Sequence, residues 1–129
     1  IDPDSLSTDD NVTALQYVSH DAVLPEADLL VTHAGHGTVM AGVTYGTPLM
    51  CIPMGRDQPY VAGRVADRGL GSILDMHSPK KVIQQTALSM LDDEDLRVRA
   101  RRFSDSLAGH AGLIEATEAI EQLDDLETQ

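Results

Sequence analysis

The sequence predicts an α/β protein with a parallel β-sheet and a purely helical C-terminal stretch. Between residues 29 and 74 short apolar runs alternate with helix-length segments, the order a parallel sheet needs because its strands are joined by helical crossovers. Glycine or proline punctuates nearly every boundary in that region, and from Ser78 onward only helical spacing remains.

Taken in order, Ile1–Asn11 is polar, contains Pro3 and reads as a loop. Val12–Val18 is rich in strand-forming residues with partial alternation and is expected to be the first strand. Ala22–Ala27 fits a short helical turn, and Leu29-Leu30-Val31 is a compact apolar run expected to be a buried strand. Thr38–Tyr45 has helical spacing and meets the stop signal Gly46-Thr47-Pro48. Leu49-Met50-Cys51-Ile52 is a second buried strand ended by Pro53, and Tyr60–Arg68 is a helix closed by Gly69. Gly71–Leu74 completes the strands. Ser78-Pro79 should open a helix carrying Val82, Ile83, Ala87, Met90 and Leu91, with Asp93–Leu107 and Leu113–Leu126 as two further amphipathic helices. The acids Asp92–Asp95 suit a helix start, and Arg97, Arg99, Arg101 and Arg102 are expected on a solvated face, paired with acids of the same helix.

Composition narrows the functional classes. With 129 residues, 42% hydrophobic and 23% charged, the chain can bury one core. A formal charge of −12 repels the phosphates of nucleic acid, and an aromatic content of 3% leaves little for base stacking. No apolar run approaches the roughly 20 residues of a bilayer-spanning helix. The single cysteine, Cys51, builds neither an internal disulfide nor a thiolate zinc site, so a cytoplasmic setting is expected. The charge is uneven. Residues 1–30 hold seven acids and no Lys or Arg, whereas residues 31–91 hold three acids against five Lys and Arg, with three of the five histidines. A small anion is least repelled in that middle stretch.

The chemistry points to the same place. Leu29-Leu30-Val31-Thr32-His33-Ala34-Gly35-His36-Gly37-Thr38 reads as strand, glycine turn and helix start. Such a helix start carries unpaired N–H donors and the positive end of the helix dipole, which together suit phosphate. Gly35 and Gly37 allow close backbone approach, Thr38 offers a hydroxyl or a cap, and His33 a ring N–H. On glycine spacing alone a plain strand-to-helix turn is the better explanation of the motif, which lacks both the Gly-x-Gly-x-x-Gly spacing and a P-loop ending. The His33/His36 pair has no carboxylate or thiolate at ligand spacing, so no metal is expected.

The larger constellation is more specific. Tyr17-Val18-Ser19-His20, Leu24-Pro25-Glu26-Ala27-Asp28, Val31–Thr38, Gly46-Thr47-Pro48-Leu49, Pro53-Met54-Gly55-Arg56-Asp57-Gln58-Pro59, Ala62-Gly63-Arg64-Val65 and Gly69-Leu70-Gly71 follow one another in order. From Val12 through Gly71 the chain resembles the nucleotide-sugar-binding stretch of family 1 glycosyltransferases of the two-domain GT-B fold, in the bacterial branch that glycosylates antibiotics, macrolides and other natural products. The resemblance implies a Rossmann-like C-terminal half of a GT-B enzyme, as one partial domain over residues 1–129 that lacks its first βα units and its N-terminal acceptor domain.

It also implies roles. His33, Gly35, His36, Gly37 and Thr38 would hold the donor diphosphate, Asp57 and Gln58 the hydroxyls of the donor sugar, and Tyr17 and Val18 the nucleobase. The substrate would be a UDP- or dTDP-sugar, with no cofactor, and the acceptor a small molecule bound through the absent domain. Plant-type members carry Trp at the Tyr17 position, Gln at His20 and a ribose-binding Glu where this chain has Ala41. Thymidine donors lack the ribose 2′-hydroxyl and fit that last change. The implied activity is inverting transfer of a hexose or deoxyhexose to an acceptor hydroxyl, with the general base outside this chain. The alternatives are a non-catalytic nucleotide-sugar-binding module and a sugar-nucleotide epimerase of the same architecture.

Overall fold

The computed structural model describes residues 10–109. Helix α1 (His20–Val23) runs into a 3-10 turn (Leu24–Glu26), then come strand β1 (Leu30–Thr32), helix α2 (His36–Tyr45), strand β2 (Leu49–Cys51), helix α3 (Gln58–Asp67), strand β3 (Gly71–Ile73) and helices α4 (Lys80–Asp92) and α5 (Glu94–Ala108). The strands form one parallel sheet in the order β1-β2-β3, with Leu30 opposite Leu49 and Leu49 opposite Gly71.

Burial explains why β2 is central. Leu49, Met50 and Cys51 are all at most 1% exposed, as expected of a strand covered on both faces. Their alternation divides the core in two. Leu49 and Cys51 pack with Val39 and Val43 of α2 and Ala62 and Val65 of α3, while Met50 packs with Met90 of α4 and Leu96 of α5. The helices thus cover both sheet faces.

Glycine sets the close approaches. A Cβ at Gly42 would lie 2.8 Å from Leu30 Cδ2 and 3.1 Å from Leu49 Cδ2, so α2 rests directly on the sheet there. Gly46 ends α2 in the left-handed region, φ 67°, and donates its N–H to the carbonyls of Gly42 and Val43. Helix α5 reaches across to that end of α2, where Ser104 Oγ donates to the Thr44 carbonyl.

Several expectations are corrected. Val12–Val18 forms no strand; Val12 is 50% and Leu15 60% exposed, and without a neighbouring ladder their alternation has nothing to pair with. Helix α2 starts two residues earlier than Thr38. Helix α4 opens at Lys80 with Pro79 as its N-cap and no side-chain cap bond, so Ser78-Pro79 stands just ahead of the helix. Asp93 is the residue of its acidic run that caps α5, accepting from the Leu96 N–H at 2.8 Å. Arg97 pairs with Glu94 of its own helix at 2.7 Å and also donates to the Leu91 carbonyl, but Arg99 donates to the Gly69 carbonyl instead of a helix acid. The expected helix Leu113–Leu126 lies outside the described residues.

Candidate functional site

All three strands run the same way, so the loops leaving β1, β2 and β3 gather at one carboxyl edge, where open α/β sheets bind ligands. The first is His33-Ala34-Gly35. Ala34 is wholly buried and sits at φ 67°, and its N–H donates to Thr32 Oγ1 at 3.2 Å. Gly35 is the N-cap of α2 and offers no side chain, so the first-turn N–H groups have no side-chain cap. A Cβ at Gly37 would meet nothing within 4 Å, so the first turn of α2 is open at that position. The His33 imidazole folds over Gly35, whose Cβ would stand 2.7 Å from its Nε2. His33, His36 and Gly37 are exposed and Thr38 is half-buried in the first turn. Thr38 does not cap the helix, and its hydroxyl bonds no described residue.

The second loop joins β2 to α3. Gly55 and Arg56 both have positive φ, 151° and 58°, so the chain turns sharply. Gln58 ties the turn from inside: its Oε1 accepts from the N–H of Met54 at 2.8 Å and of Gly55 at 3.2 Å. Two backbone donors require an acceptor, which fixes the amide orientation and leaves the Gln58 NH2 facing away from the turn. Asp57 is exposed, precedes α3 and makes no side-chain cap bond, so its carboxylate is uncommitted. Helix capping therefore does not account for this side chain.

Tyr17 and Val18, expected beside the nucleobase, stand apart. Tyr17 is 85% and Val18 43% exposed on an irregular segment, not at a strand end, and neither shares a hydrogen bond or cavity with the two loops. An apolar cleft of about 280 Å³ lies between α2, α3 and the end of α5, lined by Met40, Tyr60, Arg64, Phe103 and Leu107, and touches the first loop only through His36. The uncapped helix start at the carboxyl edge, with its nearby imidazole, is better matched to an anion than that greasy cleft.

Cys51 is sealed in the middle strand, and burial pushes its thiol up to about 11, so it stays protonated and is no nucleophile. Tyr45 donates to Asp21 at 2.8 Å, and that bond raises the phenol above its ordinary range, tying α1 to α2 away from the loops. Among the described residues no three His, Cys, Asp or Glu side chains gather as a metal site, and no helix is long and apolar enough to cross a membrane. Thr32 and the inner bond of Gln58 escape the sequence reading, although a Thr two residues ahead of a turn amide is a known local signal.

Fold and site together define a Rossmann-like α/β domain with an open helix start at the carboxyl edge of its sheet. Residues 2–123 match the family described as "Erythromycin biosynthesis protein CIII-like, C-terminal domain". The chain is 32% identical over 113 residues to the oleandomycin glycosyltransferase of Streptomyces antibioticus, covering 87% of this chain and 26% of that protein. It is 28% identical over 120 residues to the zeaxanthin glucosyltransferase of Pantoea ananas, covering 93% and 28%. The crystal structure of the calicheamicin glycosyltransferase CalG4 superposes with a TM-score of 0.84 at 28% identity, over 95% of this chain and 32% of that one. The chain belongs to the EryCIII-like family of C-terminal domains found in GT-B glycosyltransferases of natural-product type. It spans about 30% of the length of such relatives.

Proposed function

We propose that this chain is the donor-binding part of an inverting glycosyltransferase, which moves a hexose or deoxyhexose from UDP or dTDP to a hydroxyl of a small-molecule acceptor. The observation that carries the reading is the uncapped start of α2 beside His33, its first turn open at Gly37, in a chain whose relatives are glycosyltransferases.

In this reading the amides of the first turn of α2 and the His33 ring N–H bind the diphosphate, whose negative charge grows as the sugar leaves. Fixed donors aimed at that charge stabilise the transition state more than the ground state. Asp57, uncommitted and acceptor-only, takes a sugar hydroxyl proton, and the Gln58 NH2 donates to a sugar oxygen. Tyr17 and Val18 reach the base only if the exposed segment 12–19 lies against it in the complex. In this reading residues 1–129 supply the donor side of the transfer, and the general base and the acceptor pocket lie outside them.

Calorimetry with UDP, dTDP and their glucose conjugates tests the assignment. Binding of a nucleoside diphosphate that is lost in His33→Ala supports it. Wild-type chain that binds none of the four ligands refutes it.

A further inference from the structure

Among the described residues only Ala34 and Arg56 are non-glycine residues at positive φ, and of the two only Ala34 is buried. A left-handed conformation is one that L side chains avoid, so something must hold Ala34 in it. Its side chain is locked in the core cluster with Val39 and Leu49, which fixes the Cβ but not the peptide plane. The plane is held by Thr32, whose Oγ1 accepts the Ala34 N–H at 3.2 Å. Thr32 is itself anchored, because its carbonyl accepts from Ile52 N–H at 2.8 Å beside β2, and its side chain is 8% exposed. One residue thus links the sheet, through its backbone, to the turn, through its hydroxyl.

We propose that Thr32 is a positioning residue for the diphosphate site. By occupying the Ala34 N–H it removes that donor from the ligand's reach and sets the direction in which Gly35 enters α2. The amides from His36 to Thr38, and the imidazole folded over Gly35, then stand in one arrangement before any ligand arrives. This inference rests on the donor-binding reading above.

The test uses the full chain in five forms: wild type, Thr32→Val, Thr32→Ser, Ala34→Gly and the double variant Thr32→Val/Ala34→Gly. Val keeps the branched shape and removes the acceptor, whereas Ser keeps the hydroxyl. Amide hydrogen exchange followed by NMR, without ligand, should show the Ala34 amide protected in wild type and Thr32→Ser and exchanging at least about tenfold faster in Thr32→Val, with the Leu49 amide unchanged. In calorimetry Thr32→Val should bind UDP and dTDP about tenfold more weakly, and Thr32→Ser as wild type. Glycine adopts the left-handed region unaided, so in an Ala34→Gly background the same Val substitution should cost under about threefold.

Equal losses in the two backgrounds, or an Ala34 amide as protected in Thr32→Val as in wild type, overturn the positioning role. So does Thr32→Val that binds both nucleotides like wild type. Wild-type chain that binds neither nucleotide overturns the donor-binding reading instead, while the exchange measurement still decides whether Thr32 holds the turn.

Discussion

Replacing Gly35 with Ala isolates what the imidazole contributes. The backbone at Gly35, φ −62° and ψ 136°, is open to any residue, so no backbone strain follows. The new Cβ would stand 2.7 Å from His33 Nε2 and 3.4 Å from Cε1. Carbon and nitrogen rest at roughly 3.5 Å, so the ring must swing outward by about 0.8 Å or more. His33 is exposed and can move cheaply. Alanine is a poorer N-cap than glycine, and together these effects cost about 1 kcal/mol, a fall in Tm of about 4 °C. The ligand loses far more. A hydrogen bond to a charged group contributes about 1.5–3 kcal/mol, so UDP or dTDP affinity should fall about 10- to 150-fold. Calorimetry on Gly35→Ala, His33→Ala and the double variant gives the answer. The two single losses should be similar and the double variant no worse than either, because the second change has nothing left to displace. Undiminished affinity in Gly35→Ala refutes the reasoning, as does a Gly35→Ala loss that persists in full when His33 is already gone.

Four further changes have defined outcomes. Gln58→Glu keeps an acceptor for the Met54 and Gly55 amides but removes the outward NH2, so thermal unfolding should stay near wild type while UDP-glucose binds about tenfold more weakly and bare UDP almost as before; Gln58→Ala should lower both Tm and UDP-glucose affinity. Gly71→Ala should prevent folding, seen as loss of the cooperative unfolding transition, because its Cβ would fall on the Leu49 carbonyl oxygen inside the β2–β3 ladder. Asp93→Ala removes the cap on α5 and should lower stability in urea unfolding by about 1 kcal/mol without touching nucleotide affinity.

The fold was legible where chemistry is local. Gly46 and Pro48 end α2, Gly69 follows α3, and the uniform apolarity of Leu49–Cys51 marks a strand buried on both faces. Val12–Val18 was misread because alternation describes a half-buried strand only when another strand lies beside it, and partners are invisible in a local window. The turn after β1 was readable from its glycines, and the start of α2 opens the way the motif predicts, though at His36. Less readable were the links that hold the loops in shape. Gln58 reaches back to Met54 only because Gly55 and Arg56 fold the chain at positive φ, and arginine does not announce such a conformation. Thr32 likewise acts on a backbone plane, not on another side chain.

The placement of Cys51 has a practical side. The sulfur is the sole thiol of the chain, wholly enclosed in the middle strand and kept in its unreactive form. Alkylating reagents can reach it only when α2 and α3 lift from the sheet or the whole domain unfolds. The pace of covalent trapping therefore clocks the opening of that helix layer with no label added, and slower trapping with nucleotide present would report how far occupancy at the adjoining turn tightens the core beneath it.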